Sequence, residues 1–231
     1  MRRLIIVIPA RGGSKRLPLK NIHLLKGRPL LAYTLEAIAA TGLKIPTFVS
    51  TDDERIAAVA LAYHGVEVVM RPAEISSDNA STESVLIHVL DVLAECGQAP
   101  QWLMTLPPTS PFRTADTIRI FAESATVCPS GIDCLMSVTE TRGDFWRTQD
   151  DGCMQRLFPD TPRRQQDRIP LLEENSAVYV SRTQALRDTG LIFGSAVCGI
   201  PIPAIEGFDI NSPEDMRIAE CLHSVVYEPV K

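Results

Sequence analysis

The fold is decided by the stretch LIIVIPARGGSKRLPLKN, residues 4–21. Its first part, Leu4–Ile8, is a continuous apolar run, which is typical of a strand covered on both faces. Gly12 and Gly13 follow this run, and glycine lets main-chain N–H groups approach an anion closely. A glycine loop at the end of a buried strand therefore predicts an anion site, with Ser14 in the same loop.

Cations are concentrated in this loop, at Arg11, Lys15, Arg16 and Lys20. A departing polyphosphate needs such charge neutralisation, and Asn21 adds a donor and an acceptor suited to a ribose or a base edge. The spacing matches neither G-x-x-x-x-G-K-[ST] nor G-x-G-x-x-G, so it indicates neither a P-loop NTPase nor a dinucleotide site. The alternative is a basic turn without a ligand.

Beyond the loop, strand-like and helix-like segments alternate along the chain. We expect strands at 47–50, 66–70, 102–106, 133–138, 177–180 and 197–202, and helices at 29–40, 53–63, 81–96, 115–124 and from 212 onward. Asp52 or Asp53 is expected to cap the second helix, and Ser212 the last one. This alternation predicts an α/β fold with a mainly parallel sheet, helices on both faces and ligands at the carboxyl ends of the strands.

Composition and charge restrict the class of protein. With 231 residues, 45% hydrophobic and 22% charged, the chain is expected to form a single globular domain, residues 1–231. No apolar stretch approaches the roughly 20 residues of a membrane span, and a net charge of −5 argues against a nucleic-acid or membrane-surface binder. Residues 1–35 nevertheless hold eight basic residues and no acidic one. We expect a small anionic ligand there; the alternative is a solvated basic face.

The cysteines and the N-terminus indicate a cytoplasmic protein. The six cysteines are scattered without a C-x-x-C pair, as expected of reduced thiols rather than disulfides or a zinc site. The N-terminal apolar run is short and leads into Pro9, with no small-residue cleavage pattern, so a buried strand is favoured over a signal peptide.

The alternation breaks at residues 142–172, which are polar and rich in Arg, Gln, Asp and Pro. Because this segment cannot bury much surface by itself, we interpret it as an insertion that packs on a second subunit. A long local lid is the alternative.

Several motifs in sequence order resemble the CMP-sialic acid synthetases, the acylneuraminate cytidylyltransferases, and their relatives that activate other nonulosonic acids. The resemblance covers nearly the whole chain and rests on residues 8–21, 50–53, 71–74, 108–113, 163–165, 174–179 and 208–215. It implies a Rossmann-like fold of the nucleotide-sugar-transferase type. It also implies transfer of CMP from CTP to the anomeric hydroxyl of a nine-carbon 2-keto-3-deoxy sugar acid, with Mg²⁺ as cofactor and pyrophosphate as second product. A homodimer with shared active sites, built through the 142–172 segment, is likewise implied.

The resemblance also implies roles for individual residues. Catalytic roles fall on Arg11, Lys15, Lys20 and Asp209. The nucleotide site comprises Ala10, Arg11, Gly12, Gly13, Ser14, Lys15, Lys20, Asn21, Arg71, Ala80, Ser81 and Thr82. The sugar site comprises Thr109, Ser110, Arg163, Arg164, Gln165, Tyr179 and Phe193.

Asp209 and Asn211 stand two residues apart, so on a strand end both side chains point to one side and can share a cation. Mg²⁺ prefers oxygen ligands and keeps waters and substrate phosphates in its shell. The family pattern is Asp-x-Asp; Asn211 departs from it, and weaker metal affinity or a site resting mostly on Asp209 is expected. The alternative is that Asp209 only caps a turn before the last helix.

The sugar carboxylate calls for a guanidinium fork from Arg163 or Arg164, although either could form a surface salt bridge instead. Tyr179 and Phe193 could form the apolar wall against an N-acyl group, or belong to the ordinary core. The family often has Gln where this chain has Pro107, which removes a polar contact.

Two departures from the family favour a less hydroxylated sugar such as legionaminic or pseudaminic acid. One is Pro107, and the other is Ile192-Phe193, which stands where the family has paired phenylalanines. The alternatives are a CMP-Kdo synthetase, whose loop pattern Ser14, Arg16, Leu17, Pro18 and Lys20 also fit, and a nucleotide-binding module without catalytic activity.

Overall fold

The structure is a computed structural model that describes residues 4–77 and 80–227. The strands are β1 (Leu4–Pro9), β2 (Leu24–Leu25), β3 (Arg28–Pro29), β4 (Thr47–Thr51), β5 (Val66–Met70), β6 (Trp102–Thr105), β7 (Cys134–Thr141), β8 (Trp146–Thr148), β9 (Met154–Arg156), β10 (Leu171–Arg182) and β11 (Val197–Pro201). The helices are α1 (Leu30–Ala40), α2 (Glu54–Leu61), α3 (Thr82–Glu95), α4 (Ala115–Val127), α5 (Thr183–Thr189) and α6 (Pro213–Tyr227).

The central sheet has the order β11-β7-β10-β6-β1-β4-β5. Only β10 runs antiparallel to its neighbours, β6 and β7. The chain moves outward from β1 through β4 to β5 and then crosses to the other side of β1 to form β6. This reversal of strand order opens a crevice at the carboxyl ends of β1 and β6, where ligands bind in such sheets.

Two apolar layers confirm the predicted helices on both faces of the sheet. On one face, Ile6 and Ile8 of β1 pack in a cluster with Leu31 of α1 and Phe121 of α4. On the other face, Ile5 and Val7 of the same strand join the inward residues of α3 in a second cluster. β1 therefore lies in the middle of the core, which explains its continuous apolar sequence.

Most predicted elements are confirmed to within a few residues, and β5 agrees at both ends. Asp53, rather than Asp52, caps α2, since its side chain accepts from Arg55 N. Ser212 accepts from the backbone N–H of Asp215, and Asp215 accepts from the Ser212 N–H in return, which makes a capping box for α6.

The predicted strand 177–180 was too short, because β10 begins at Leu171. Its first four residues, 171–174, form an exposed arm paired with β7, and the buried part begins at Ala177, within the register shift between Glu174 and Tyr179. The arm lacks the alternation that marks a half-buried strand, so the sequence does not reveal it.

The segment 142–172 contains the small hairpin β8–β9 and leads into β10. Inside it, the Asp144 carboxylate accepts from Arg156, Arg163 and Arg168. Arg168 is buried and also donates to three backbone carbonyls of this segment. Charge pairing therefore holds the segment together in place of an apolar core.

No helix in the described ranges 4–77 and 80–227 combines the length and the apolar character needed to cross a membrane.

Candidate active site

The loop after β1 is closed by Asn21. This buried side chain donates to the Arg11 carbonyl at 2.8 Å, so the two ends of the loop meet. The Ala10 N–H donates to the Ser50 carbonyl, which extends the β1–β4 pairing by one residue, and Ala10 is fully buried. The cationic stretch between these anchors is therefore held at the carboxyl edge of the sheet.

Gly12 is in close contact with the start of α2. Its N–H donates to Asp52 Oδ1 at 2.8 Å. A Cβ placed on Gly12 would lie 2.7 Å from Asp53 Oδ2, whereas a Cβ on Gly13 would meet no atom within 4 Å. In this structure Gly12 anchors the loop through its N–H, and its contact with phosphate stays a prediction.

Two adjoining cavities share Arg11, Lys20 and Asn21 as lining residues. The smaller, about 300 Å³, is completed by Ser14, Lys15 and Arg16. The larger, about 460 Å³, extends from β1 toward β10 and the segment before β11. The structure thus brings the predicted loop residues together around a strongly basic entrance. Arg2 and Arg3, which contribute to the basic charge of residues 1–35, lie outside the described residues.

Lys20 joins this loop to the predicted metal residues. Its ammonium donates to Asn211 Oδ1 at 3.1 Å, and the Asn211 amide donates to Asp209 Oδ2. Burial lowers the pKa of Lys20, while the neighbouring Asp209 carboxylate acts in the opposite direction. The Ile210 N–H donates to the Thr109 carbonyl, which fixes Asp209 and Asn211 beside the loop that follows β6.

Arg71 lies in the wall of the larger cavity, where its guanidinium donates to the Ser50 hydroxyl and the Ser50 carbonyl at 3.0 and 2.8 Å. Burial lowers its pKa to about 10. Ala80, Ser81 and Thr82 line the same cavity, and the Ser81 hydroxyl caps α3. The larger cavity is therefore lined by seven of the predicted nucleotide residues, namely Arg11, Lys20, Asn21, Arg71, Ala80, Ser81 and Thr82. Ser14 and Lys15 line the smaller cavity, whereas Ala10, Gly12 and Gly13 line neither.

The far end of the larger cavity combines an apolar surface with the polar side chains of Glu83, Glu174 and Ser176. It is lined by Tyr179, Phe193, Ile192 and Val85, with Thr109 and Pro107 nearer the loop. The Tyr179 hydroxyl donates to the Glu174 carboxylate and is within 3.1 Å of Ser176 Oγ. Burial raises the pKa of Tyr179.

The other predicted sugar residues do not line this cavity. Ser110 is buried and does not belong to the lining of the cavity. Arg163, Arg164 and Gln165 lie in the 142–172 segment, where the exposed Arg163 pairs with Asp144 at 3.3 Å. Within one chain the structure therefore does not bring these three residues to the cavity.

Sequence reasoning missed several lining residues, namely Pro9, Glu83, Val85, Thr105, Pro108, Glu174 and Ser176. Thr105 could have been found, because it lies one residue before the end of the predicted buried strand 102–106, at the ligand-binding edge. Ser176 has a left-handed backbone with φ 59°, and it sits in the register shift of β10. No sequence signal marks that shift.

Comparisons with known proteins agree with this geometry. A family model described as "Cytidylyltransferase" matches residues 5–96, which include the cationic loop and Arg71. The CMP-N,N'-diacetyllegionaminic acid synthase of Legionella pneumophila is 30% identical over 227 residues, covering 95% of this chain and 96% of that protein. The chain belongs to the cytidylyltransferase family.

The N-acylneuraminate cytidylyltransferase of Escherichia coli is also 30% identical, over 220 residues; this chain spans about half of its length, 51%. Among solved structures, CMP:2-keto-3-deoxy-manno-octonic acid synthetase complexed with CTP matches with a TM-score of 0.67. It covers 96% of this chain and 99% of that chain at 16% identity, so this likeness supports the Rossmann-like fold alone.

Proposed function

We propose that this cytidylyltransferase family member transfers CMP from CTP to the anomeric hydroxyl of a nine-carbon 2-keto-3-deoxy sugar acid. The hydroxyl oxygen attacks the α-phosphorus, the bond from that phosphorus to the bridging oxygen breaks, pyrophosphate leaves and one proton is released. The observation that carries the proposal is a single cavity with Arg11 and Lys20 at one end and Tyr179 and Phe193 at the other.

The basic end suits the triphosphate. Arg11, Lys15 and Lys20 can neutralise the phosphates, and nucleotidyl transfer depends on such positioning and charge stabilisation more than on a covalent nucleophile. Ser14 and Asn21 offer further hydrogen bonds. Arg71, held by Ser50, would face the cytidine together with the segment 80–82.

Asp209 and Asn211 offer the hard oxygen donors that Mg²⁺ prefers, although Asn211 Oδ1 already accepts from Lys20. No group of three or more His, Cys, Asp or Glu residues suited to a metal exists among residues 4–77 and 80–227. A site of one carboxylate and one amide still fits an ion that keeps waters and substrate phosphates in its shell. Mg²⁺, when bound there, would offset negative charge on the phosphates.

The apolar end suits a sugar with few free hydroxyls. Pro107 and Pro108 line the cavity where a side-chain amide would reach a sugar hydroxyl, and Ile192 extends the apolar surface beside Phe193. An unpaired sugar hydroxyl in a closed site costs about 1–3 kcal/mol. We therefore propose a legionaminic or pseudaminic type of sugar acid ahead of sialic acid.

We also propose a homodimer in which the 142–172 segment completes the partner's site. Large apolar side chains of this segment are exposed, including Ile169 at 87% and Phe158 at 48%. Leu157 and Phe158 line a groove of about 550 Å³ on the same surface. A second copy seated there could bring Arg163, Arg164 or Gln165 toward a sugar carboxylate. A cytoplasmic location is proposed from the reduced-thiol pattern.

Pyrophosphate release from CTP with a panel of keto-sugar acids tests this function. Turnover with a nine-carbon acid, and a higher kcat/KM for legionaminic than for sialic acid, is expected. A clear preference for the eight-carbon acid Kdo would favour the CMP-Kdo synthetase alternative, which shares the loop pattern. CTP binding without turnover of any sugar would favour the non-catalytic module, which Asn211 alone encourages.

A further inference from the structure

Thr105, the last residue of β6, is fully buried, and its hydroxyl has no hydrogen-bond partner among residues 4–77 and 80–227. Leaving a buried hydroxyl unsatisfied costs free energy that a valine of the same shape would avoid. Thr105 also belongs to the wall of the 460 Å³ cavity. A ligand in that cavity can therefore supply the missing partner.

Sheet geometry directs Thr105 toward the α3 face. Side chains alternate along a strand, and Leu103, two residues earlier, belongs to the apolar cluster on that face. The register partner of Thr105 on the neighbouring strand β10 is Tyr179, whose hydroxyl is already engaged by Glu174 and Ser176. Thr105 thus offers a hydroxyl beside a tyrosine whose own hydroxyl is occupied.

The surroundings indicate which chemical group fits. Val85, Ile192 and Phe193 provide apolar surface around this part of the cavity. The carboxylates of Glu83 and Glu174 line it as well and can accept hydrogen bonds. An acylamino group matches all three features, because its alkyl part is apolar, its N–H donates and its carbonyl oxygen accepts.

We propose that the Thr105 hydroxyl donates a hydrogen bond to the carbonyl oxygen of an N-acylamino substituent on the sugar acid, which makes Thr105 a specificity-determining residue. The inference rests on the proposed function. Through this hydrogen bond, Thr105 would distinguish acylated from unacylated sugar acids, since a site built to hydrogen-bond a substrate group rejects analogues that lack it.

The test compares wild type, Thr105→Val and Thr105→Ser with two nine-carbon sugar acids that differ only in an acylamino group against a hydroxyl. Thr105→Val is expected to raise the KM for the acylated sugar about tenfold, or 1.4 kcal/mol, with a smaller change for the hydroxylated one and none for CTP. Thr105→Ser, which keeps the hydroxyl, should stay near wild type. The unfolding midpoint of Thr105→Val should equal or exceed that of wild type, because the variant buries no unpaired hydroxyl.

Two results would overturn the inference: an unchanged KM for the acylated sugar in Thr105→Val, or a lowered unfolding midpoint with equal losses for both sugars. Failure of the proposed function is distinguishable, since wild type would then release no pyrophosphate with any sugar acid. Calorimetric titration of the acylated sugar into wild type and Thr105→Val compares binding without turnover. It therefore tests the role of Thr105 in sugar binding even if no sugar acid is turned over.

Discussion

Replacing Gly12 by alanine tests whether the cationic loop depends on its contact with the start of α2. The added Cβ would lie 2.7 Å from Asp53 Oδ2 and 2.8 Å from Asp53 Cβ. Rotating the carboxylate could relieve the first contact but not the second. Either Asp53 or the loop must therefore move.

Both movements have a predictable cost. If Asp53 moves, α2 loses a cap, about 1 kcal/mol, together with the ion pair to the exposed Arg55. If the loop moves, the hydrogen bond from Gly12 N–H to the Asp52 carboxylate breaks, which costs about 1.5–3 kcal/mol. We expect Gly12→Ala to lower the free energy of unfolding by about 2 kcal/mol on either route.

Gly13→Ala is the matched control, because no atom lies within 4 Å of the Cβ it would add. Its unfolding free energy should stay within about 1 kcal/mol of wild type. Urea unfolding measures both variants, and the KM for CTP reports the loop. A displaced Arg11 that loses one charged contact should raise this KM about tenfold. Equal behaviour of the two variants in both assays would refute the anchoring role of Gly12.

Three further outcomes are expected. Asp209→Ala should abolish pyrophosphate release across a Mg²⁺ titration, and near-normal turnover would end its metal assignment. The hydrogen bond from Arg55 lowers the pKa of Asp53 from 3.8 to about 2, so the charged form stabilises the fold above the unfolded pKa, and this contribution is lost as pH falls through the folded pKa. The stability advantage of wild type over Asp53→Asn should therefore shrink from about pH 5 to about pH 2 in urea titrations. Arg113→Met should cost about 3 kcal/mol, because it removes the buried guanidinium that donates to the Ala177 carbonyl at 2.6 Å and to the Thr34 hydroxyl at 2.9 Å. Arg187→Met, which breaks an exposed pair, should cost below about 1 kcal/mol in the same assay.

The sequence predicts those parts of the fold that depend on local pattern. β1 is a short apolar run, and β5 is apolar apart from Glu67 and lies between Gly65 and Pro72, so composition and length are sufficient to locate them. The sequence also predicts that Arg11, Lys20 and Arg71 lie close together. Each of them lies in a loop that follows a strand, and the carboxyl ends of parallel strands share one edge of the sheet.

Features that depend on register could not be predicted in the same way. Asp52 and Asp53 are adjacent carboxylates with equal capping ability, and only the structure separates their roles: Asp53 caps α2, while Asp52 holds Gly12. Ser176 lines the cavity because β10 shifts its register between Glu174 and Tyr179. That shift arises from pairing with β7, which is distant in sequence.

The cationic loop and the cavity residues that follow β6 are attached to neighbouring strands, and this has a consequence for the proposed reaction. The cationic loop directly follows β1, and Pro107 and Thr109 lie in the loop that follows β6. β1 and β6 are adjacent parallel strands that pair through their backbones. The hydrogen bond from Ile210 N–H to the Thr109 carbonyl attaches Asp209 and Asn211 to the β6 side, and Lys20 reaches Asn211 from the β1 side. Backbone pairing therefore sets the distance between the cationic loop and the β6 side of the cavity. The in-line transfer that we propose would benefit from a distance fixed before the substrates bind, since positioning supplies much of the rate of such reactions.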